Sequence, residues 1–233
     1  AAGEFMAKTR SQLELNQDQM RSYADTINYL SDNTASKAEE IANISRRTGS
    51  IAKSQNVSQE SNAAYGATLV GIGKEPEIAA TALKKMYVTM GKGEYLTNKQ
   101  AGAFRSIGLE GSQMAKLMQK DSDAAITMVL ERLNKIPKEA QTGVVNAIFG
   151  EEAVDSVTGL VNNIDVVREN LKKAHSEAAK GSMEKEYQNR MQTTAEQMKK
   201  FKNKLLDIGI SLGNTLLPPI NAAMVKLEPF INK

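Results

Sequence analysis

The feature that most constrains this chain is a stripe of apolar residues near its C-terminal end. Met183, Tyr187, Met191, Ala195, Met198, Phe201, Leu205, Ile208 and Leu212 are spaced by eight steps over 29 residues. The mean step is near the 3.6 residues of an α-helical turn, so the spacing predicts one amphipathic helix of about 45 Å at ~1.5 Å per residue. The steps drift from a strict 3.5-residue repeat, which favours a packed helix over an ideal two-stranded coiled coil. The following stretch, "LLDIGISLGNTLLPPINAAMVKLEPFI", is more apolar and is interrupted by Pro218, Pro219 and Pro229. From Gly181 onward there are eight basic and five acidic residues, a mildly cationic balance.

The rest of the sequence predicts an all-α fold, a bundle of short helices leading into the long C-terminal one. Strand patterns are nearly absent. The composition is 41% hydrophobic but only 5% aromatic, with no Trp and 11 Met, so Ala, Leu, Ile and Met must fill the core. Those residues favour helices, and methionine tolerates irregular packing. Met20, Tyr23, Ile27 and Leu30 share one helical face, as do Ala38, Ile41 and Ile44. Gly49 stands where a helix-ending cap is expected, and the polar stretch from there to Tyr65 reads as having little to bury. Pro76 suits a first helical turn, with Glu77 beside it and Gly91 past the far end. Further helices follow in "TNKQAGAFRSIGL", which closes near Gly108, and in "GSQMAKLMQKD". Asp121 or Ser122 caps the next, whose buried stripe is Ile126, Val129, Leu130 and Leu133, and Pro137 separates it from "PKEAQTGVVNAIFG". The expected division is 1–5, a vector-derived leader; 6–62, N-terminal helices; 63–180, a compact helical core; and 181–233, the long amphipathic helix with its Pro-broken end.

Few residues offer chemistry. With no cysteine, disulfides, thiol nucleophiles and zinc–thiolate sites are excluded. The single histidine, His175, is read as ruling out both a His-based triad and a multi-histidine metal site within one chain. It lies in "LKKAHSEAAK", a polar helix end where a protonated imidazole suits the dipole, and reads as a lone surface residue. "GATLVGIGK" fails as a phosphate loop, because Thr68 replaces the first glycine and Glu75 the hydroxyl residue around Gly73-Lys74. In "NAIFGEEAVDSVTGLV", Gly150 follows an apolar pattern and suits a left-handed cap. Glu151 and Glu152 then occupy the first turn of the next helix, where carboxylates meet the positive dipole end. Adjacent helical residues diverge, so the pair reads as punctuation and not as an acid/base or metal site. In "EQMKKFKNK", Phe201 belongs to the apolar stripe and the lysines to a solvated face. The net charge of +3 gives no case for specific nucleic-acid binding. No catalytic, cofactor-binding or metal-binding residue is assigned. The functional surface expected is the stripe Met183, Tyr187, Met191, Met198, Phe201, Leu205, Ile208 and Leu212.

Three phrases occur in a distinctive order: "VGIGKEPEIAATALKKMYVTM", "FRSIGLEGSQMAKLMQKDSDAAITMVLERLNKIP" and "AIFGEEAVDSVTGLVNNIDVVRENL". This ordered set, from about Ala63 to Ala174, resembles the core of phage tail tape measure proteins, and "SLGNTLLPPINAAMVKLEPFI" resembles that family's step into a hydrophobic region. "GIGKEPE" is one residue longer than the family's turn. The chain is also far shorter than a length-measuring protein, so the resemblance implies a fragment. It implies a mostly helical protein lying as several copies inside the growing tail tube. Some members carry peptidoglycan-cleaving domains, but these residues hold no convergent acid pair and no metal or thiol equipment, so the segment reads as non-enzymatic. Tube polymerisation around it would set tail length, and the protein would leave ahead of the genome at infection. The implied partners are copies of itself, the tail tube protein, tail assembly chaperones and, at ejection, the host inner membrane. The implied location is the lumen of the virion's tail tube, after assembly in the host cytoplasm.

Two other classes fit parts of the pattern. A membrane-active helical protein, such as a pore former, would place the apolar end in lipid. A cell-wall hydrolase would need carboxylates converged by the fold, with Glu131, Asp155 and Asp165 as candidates.

Overall fold

The computed structural model of the chain describes residues 9–11 and 13–204, and the expected leader 1–5 lies outside them. Contacts divide the chain into one unit up to Met183 and a second from Glu184. Among the described residues the structure is all-α. The first unit contains α1 (Gln17–Asn33), α2 (Ala38–Ser54), α3 (Gln59–Gly71) and α4 (Pro76–Gly91). After a 3₁₀ turn at Gly93–Tyr95 come α5 (Asn98–Ser106), α6 (Gly111–Lys120), α7 (Ser122–Asn134), α8 (Lys138–Phe149), α9 (Glu151–Asn162) and α10 (Ile164–Ala174). The last helix, α11, covers residues 182–204 and carries the chain into the second unit.

Local sequence explains most of the boundaries. Asn16 caps α1 by accepting from the Gln19 amide at 2.8 Å, while the Gln19 side chain accepts from the Asn16 amide at 2.9 Å. This reciprocal box satisfies two donors that helix geometry leaves without partners. Thr97 and Gln100 build the same device at α5. Asp121 accepts from Ala124 N–H at 2.9 Å and so is the cap of α7. Pro76 is in the first turn of α4.

The centre of the first unit is α3, which packs against α1, α2, α4, α9 and α10. Every residue from Ser61 to Leu69 is buried. This corrects the expectation that the chain between Gly49 and Tyr65 has little to bury. A helix enclosed on all sides needs no polar face, so its burial leaves no periodic signal. Several of its polar atoms instead find internal partners, whereas Asn62 Nδ2 and Gln59 Oε1 are buried without one among the described residues. Thr48 Oγ1 and Tyr87 OH donate to Asn62 Oδ1 at 2.9 and 3.0 Å, and Asn170 Nδ2 donates to Thr68 Oγ1 at 2.9 Å. These bonds tie α2, α4 and α10 to α3 in a setting where an unpaired polar group costs about 1–3 kcal/mol.

Gly49 is also corrected: α2 continues through it to Ser54. Its role is close approach, because a Cβ there would lie 2.2 Å from Leu13 Cδ2 and 3.0 Å from Gln59 Oε1. Around this polar centre, Leu30, Ile41, Ile44, Leu69, Leu83 and Met86 are fully buried. Burial of each such side chain contributes about 1.5–3 kcal/mol relative to exposure. Tyr65 and Tyr87 meet edge-on with ring centroids 6.3 Å apart, and Phe104 and Phe149 do so at 6.5 Å. In a chain with so few aromatic residues, these two edge-on pairs are a large part of the buried aromatic surface.

Gly150 separates α8 from α9 with φ 86° and ψ 162°. The expected glycine dependence is present, but the conformation is not the left-handed helical one. The extended mirror region it occupies is essentially reserved for glycine. It lets α9 start directly after α8, with Glu151 and Glu152 in the first turn of α9.

Candidate functional site

The apolar stripe on α11 is the first candidate. Met183, Tyr187, Met191, Met198 and Phe201 are between 44% and 63% exposed. Leu205, Ile208 and Leu212 lie outside the described residues. Within 184–204 the polar side chains bond along the helix: Gln188 donates to Glu184 at 2.6 Å, and Arg190 pairs with Glu186. Such i,i+4 pairs support an exposed helix by a few tenths of a kcal/mol each, leaving its apolar face available.

The beginning of α11 belongs to the first unit. Asp25, buried on α1, accepts from the Gly181 amide at 2.9 Å and from the Met183 amide at 3.1 Å. Asn28, one turn later, donates to Ser182 Oγ at 2.8 Å. The amino end of α11 is therefore capped by a residue from another helix. Gly181, at φ 70°, turns the chain into position. A carboxylate there meets both the free amides and the positive end of the helix dipole.

A second cluster surrounds His175, correcting its reading as a lone surface residue. Ser61 Oγ lies 2.9 Å from His175 Nε2 and donates to Asp123 Oδ2 at 2.6 Å. Tyr65 OH donates to Asp123 Oδ1 at 3.0 Å, and His175 Nε2 is 3.3 Å from Asp123 Oδ2. Serine, histidine and aspartate thus converge, but not in the order nucleophilic catalysis requires. A catalytic aspartate holds Nδ1 while Nε2 accepts the serine proton. Here Ser61 and Asp123 share Nε2, and the serine proton points at the carboxylate. Ser61 is also buried. The arrangement is an ionic hydrogen-bond knot joining α3, α7 and the end of α10.

The electrostatics agree with that role. Burial pushes the Asp123 carboxyl up, but hydrogen bonds from His175, Ser61 and Tyr65 outweigh it and hold the group below 3.8. The hydrogen bond to Asp123 raises His175 above 6.5 against partial burial, with Asp123 and Glu60 adding favourable charge. Burial drives the Tyr65 phenol well above 10.0, keeping it a neutral donor.

The other carboxylates do not converge on a substrate-sized space. Glu131 and Asp165 both pair with Arg168, the latter at 3.0 Å, whereas Asp155 pairs with Lys74 at 2.5 Å. Glu152 pairs with Lys85 at 3.2 Å. Among the described residues no acidic or histidine group is arranged to hold a metal ion, and no helix is long and apolar enough to cross a membrane. Sequence reasoning missed Asp25, Ser61, Tyr65 and Asp123 because their partners lie between 52 and 158 residues away.

A profile of the phage-related minor tail protein family matches residues 1–150. The chain is 27% identical over 222 residues to the "Probable tape measure protein" of Halomonas phage phiHAP-1, covering 95% of this chain and 26% of that relative. It therefore spans about a quarter of the relative's length. No solved structure matches the chain.

Proposed function

The chain belongs to the phage-related minor tail protein family, and on that premise we propose that it is a structural segment of a tape measure protein. The first unit is a folded base, and α11 begins the helical part that associates with other copies. Tail tube subunits polymerise around the assembled copies, and the helical extent of the full-length protein sets how far they proceed. The segment resides in the tube lumen and leaves ahead of the genome at infection, when the apolar end reaches the host inner membrane.

The observation carrying this reading is the exposure of five large apolar side chains at helical spacing on α11. Such a row exposed on one helix marks an interaction surface, because a helix face of this kind is stable when buried against another. The relative's name supports the tail-length role.

Changing the number of residues within 184–204 of the phage's full-length protein tests this function. A 21-residue deletion should shorten the tail by about 32 Å, at ~1.5 Å per residue, as measured by electron microscopy. Tails of unchanged length would remove this segment from the ruler.

A further inference from the structure

The first unit also carries a basic groove that the tail-length role does not use. It lies between α4, the turn after it, α5 and the end of α8, and encloses about 730 Å³. That volume is within the roughly 300–1,000 Å³ occupied by concave ligand sites. Lys84, Lys85, Lys92 and Lys99 line it, and no Asp or Glu does. Lys85 is paired with Glu152 at 3.2 Å, and Lys92 reaches only the neutral Gln100 side chain at 3.5 Å. Lys84 and Lys99 make no ion pair or hydrogen bond among the described residues.

The lining also has an apolar component. Val88 follows Lys84 by one helical turn and is 40% exposed, and half-buried Ile51 lies in the same wall. Gln100 bridges two of its walls. Its Nε2 donates to the Ile148 carbonyl in the last turn of α8 at 3.0 Å, while its Oε1 accepts from the Thr97 amide at 3.2 Å. Pre-formed walls reduce the ordering cost of binding.

We propose that this groove docks an acidic segment of a partner protein that also carries an apolar side chain. Charge complementarity selects the carboxylates, with Lys84 and Lys99 as their principal partners, and Val88 receives the apolar residue. A nucleic-acid strand would satisfy the lysines but not Val88, and the groove presents no exposed aromatic ring on which a base could stack. The inference is independent of the tail-length reading, because it concerns the first unit alone.

The test uses the intact chain and a fluorescein-labelled 12-residue Glu/Leu amphipathic peptide, followed by anisotropy. K84E/K99E should weaken binding by about tenfold or more, since each reversal replaces attraction with repulsion. V88Q should weaken it by about threefold through lost apolar burial. A matched Gln/Leu peptide should bind at least about tenfold more weakly. Circular dichroism and thermal melting establish that the variants are folded. No binding of the acidic peptide, or equal binding to wild type and K84E/K99E, would overturn the proposal. So would tighter binding of a 20-base-pair duplex that is lost in K84E/K99E but unaffected by V88Q, which would assign the groove to nucleic acid.

Discussion

The carboxylate of Asp25 accepts a hydrogen bond at 2.9 Å from the amide of Gly181, 156 residues further along the chain. A second oxygen takes the Met183 amide at 3.1 Å. The start of α11 thus depends on α1, and helix initiation there is a tertiary event.

Removing that cap should loosen the helix start before it unfolds the first unit. Asp25→Ala is expected to cost about 1–2 kcal/mol, the range of a lost N-cap. Hydrogen exchange would locate the change, with amides of residues 181–186 losing protection and those of α3 keeping theirs. Asp25→Asn retains an acceptor and should recover part of the loss.

The knot at His175 makes stability depend on pH in two directions. His175 titrates above 6.5 in the folded state, so its contribution is complete below that value and lost as pH rises through the raised one. Asp123 titrates below 3.8, so its contribution is present above that value and lost as pH falls through the depressed one. Both side chains are partly exposed, which limits the pair to about 1 kcal/mol. Denaturant melts from pH 5 to 9 should show stability declining on the alkaline side. His175→Gln should flatten that decline, and an unchanged slope would refute the assignment.

Asn62 is the acceptor on which Thr48 and Tyr87 meet. Asn62→Ala should cost about 1–3 kcal/mol, measured by urea denaturation, chiefly by stranding the Tyr87 hydroxyl, since Thr48 keeps the Ile44 carbonyl at 2.9 Å. Tyr87→Phe removes that donor with its hydrogen bond and should cost less than Asn62→Ala.

Two glycines should respond with opposite signs to the same substitution. Gly150→Ala forces an L-residue into φ 86° and ψ 162°, at a cost of about 1–3 kcal/mol. Gly143 lies inside α8 with open space around its Cβ position. Gly143→Ala should stabilise by about 0.5–1 kcal/mol through helix propensity. Thermal melting of both variants compares them directly.

These residues show why parts of the fold were legible in the sequence and others were not. Pro76, Asp121 and the Gly150-Glu151 junction act within a few residues, so local chemistry announced them. Helix α3 was misjudged because all of its faces are buried and its polar side chains bond inward. Gly49 resembled a stop signal, yet what selects it is the proximity of Leu13 and Gln59, which linear order does not reveal. His175 looked solitary for the same reason. The lysines of the basic groove come from separate elements, and only the packing of α4, α5 and α8 brings them together. The spacing of Met183, Tyr187, Met191, Met198 and Phe201 is readable in linear order because the single helix α11 carries them; Leu205, Ile208 and Leu212 lie outside the described residues.

Absolute molar mass in solution decides whether α11 holds copies of the chain together. Light scattering of the intact chain should be compared with M198E/F201E over a range of concentrations. The intact chain should be multimeric, and the variant, with charge on the exposed stripe, should be monomeric while equally helical by circular dichroism. Monomers for both, or the same multimer for both, would contradict the assignment of α11 as the associating surface.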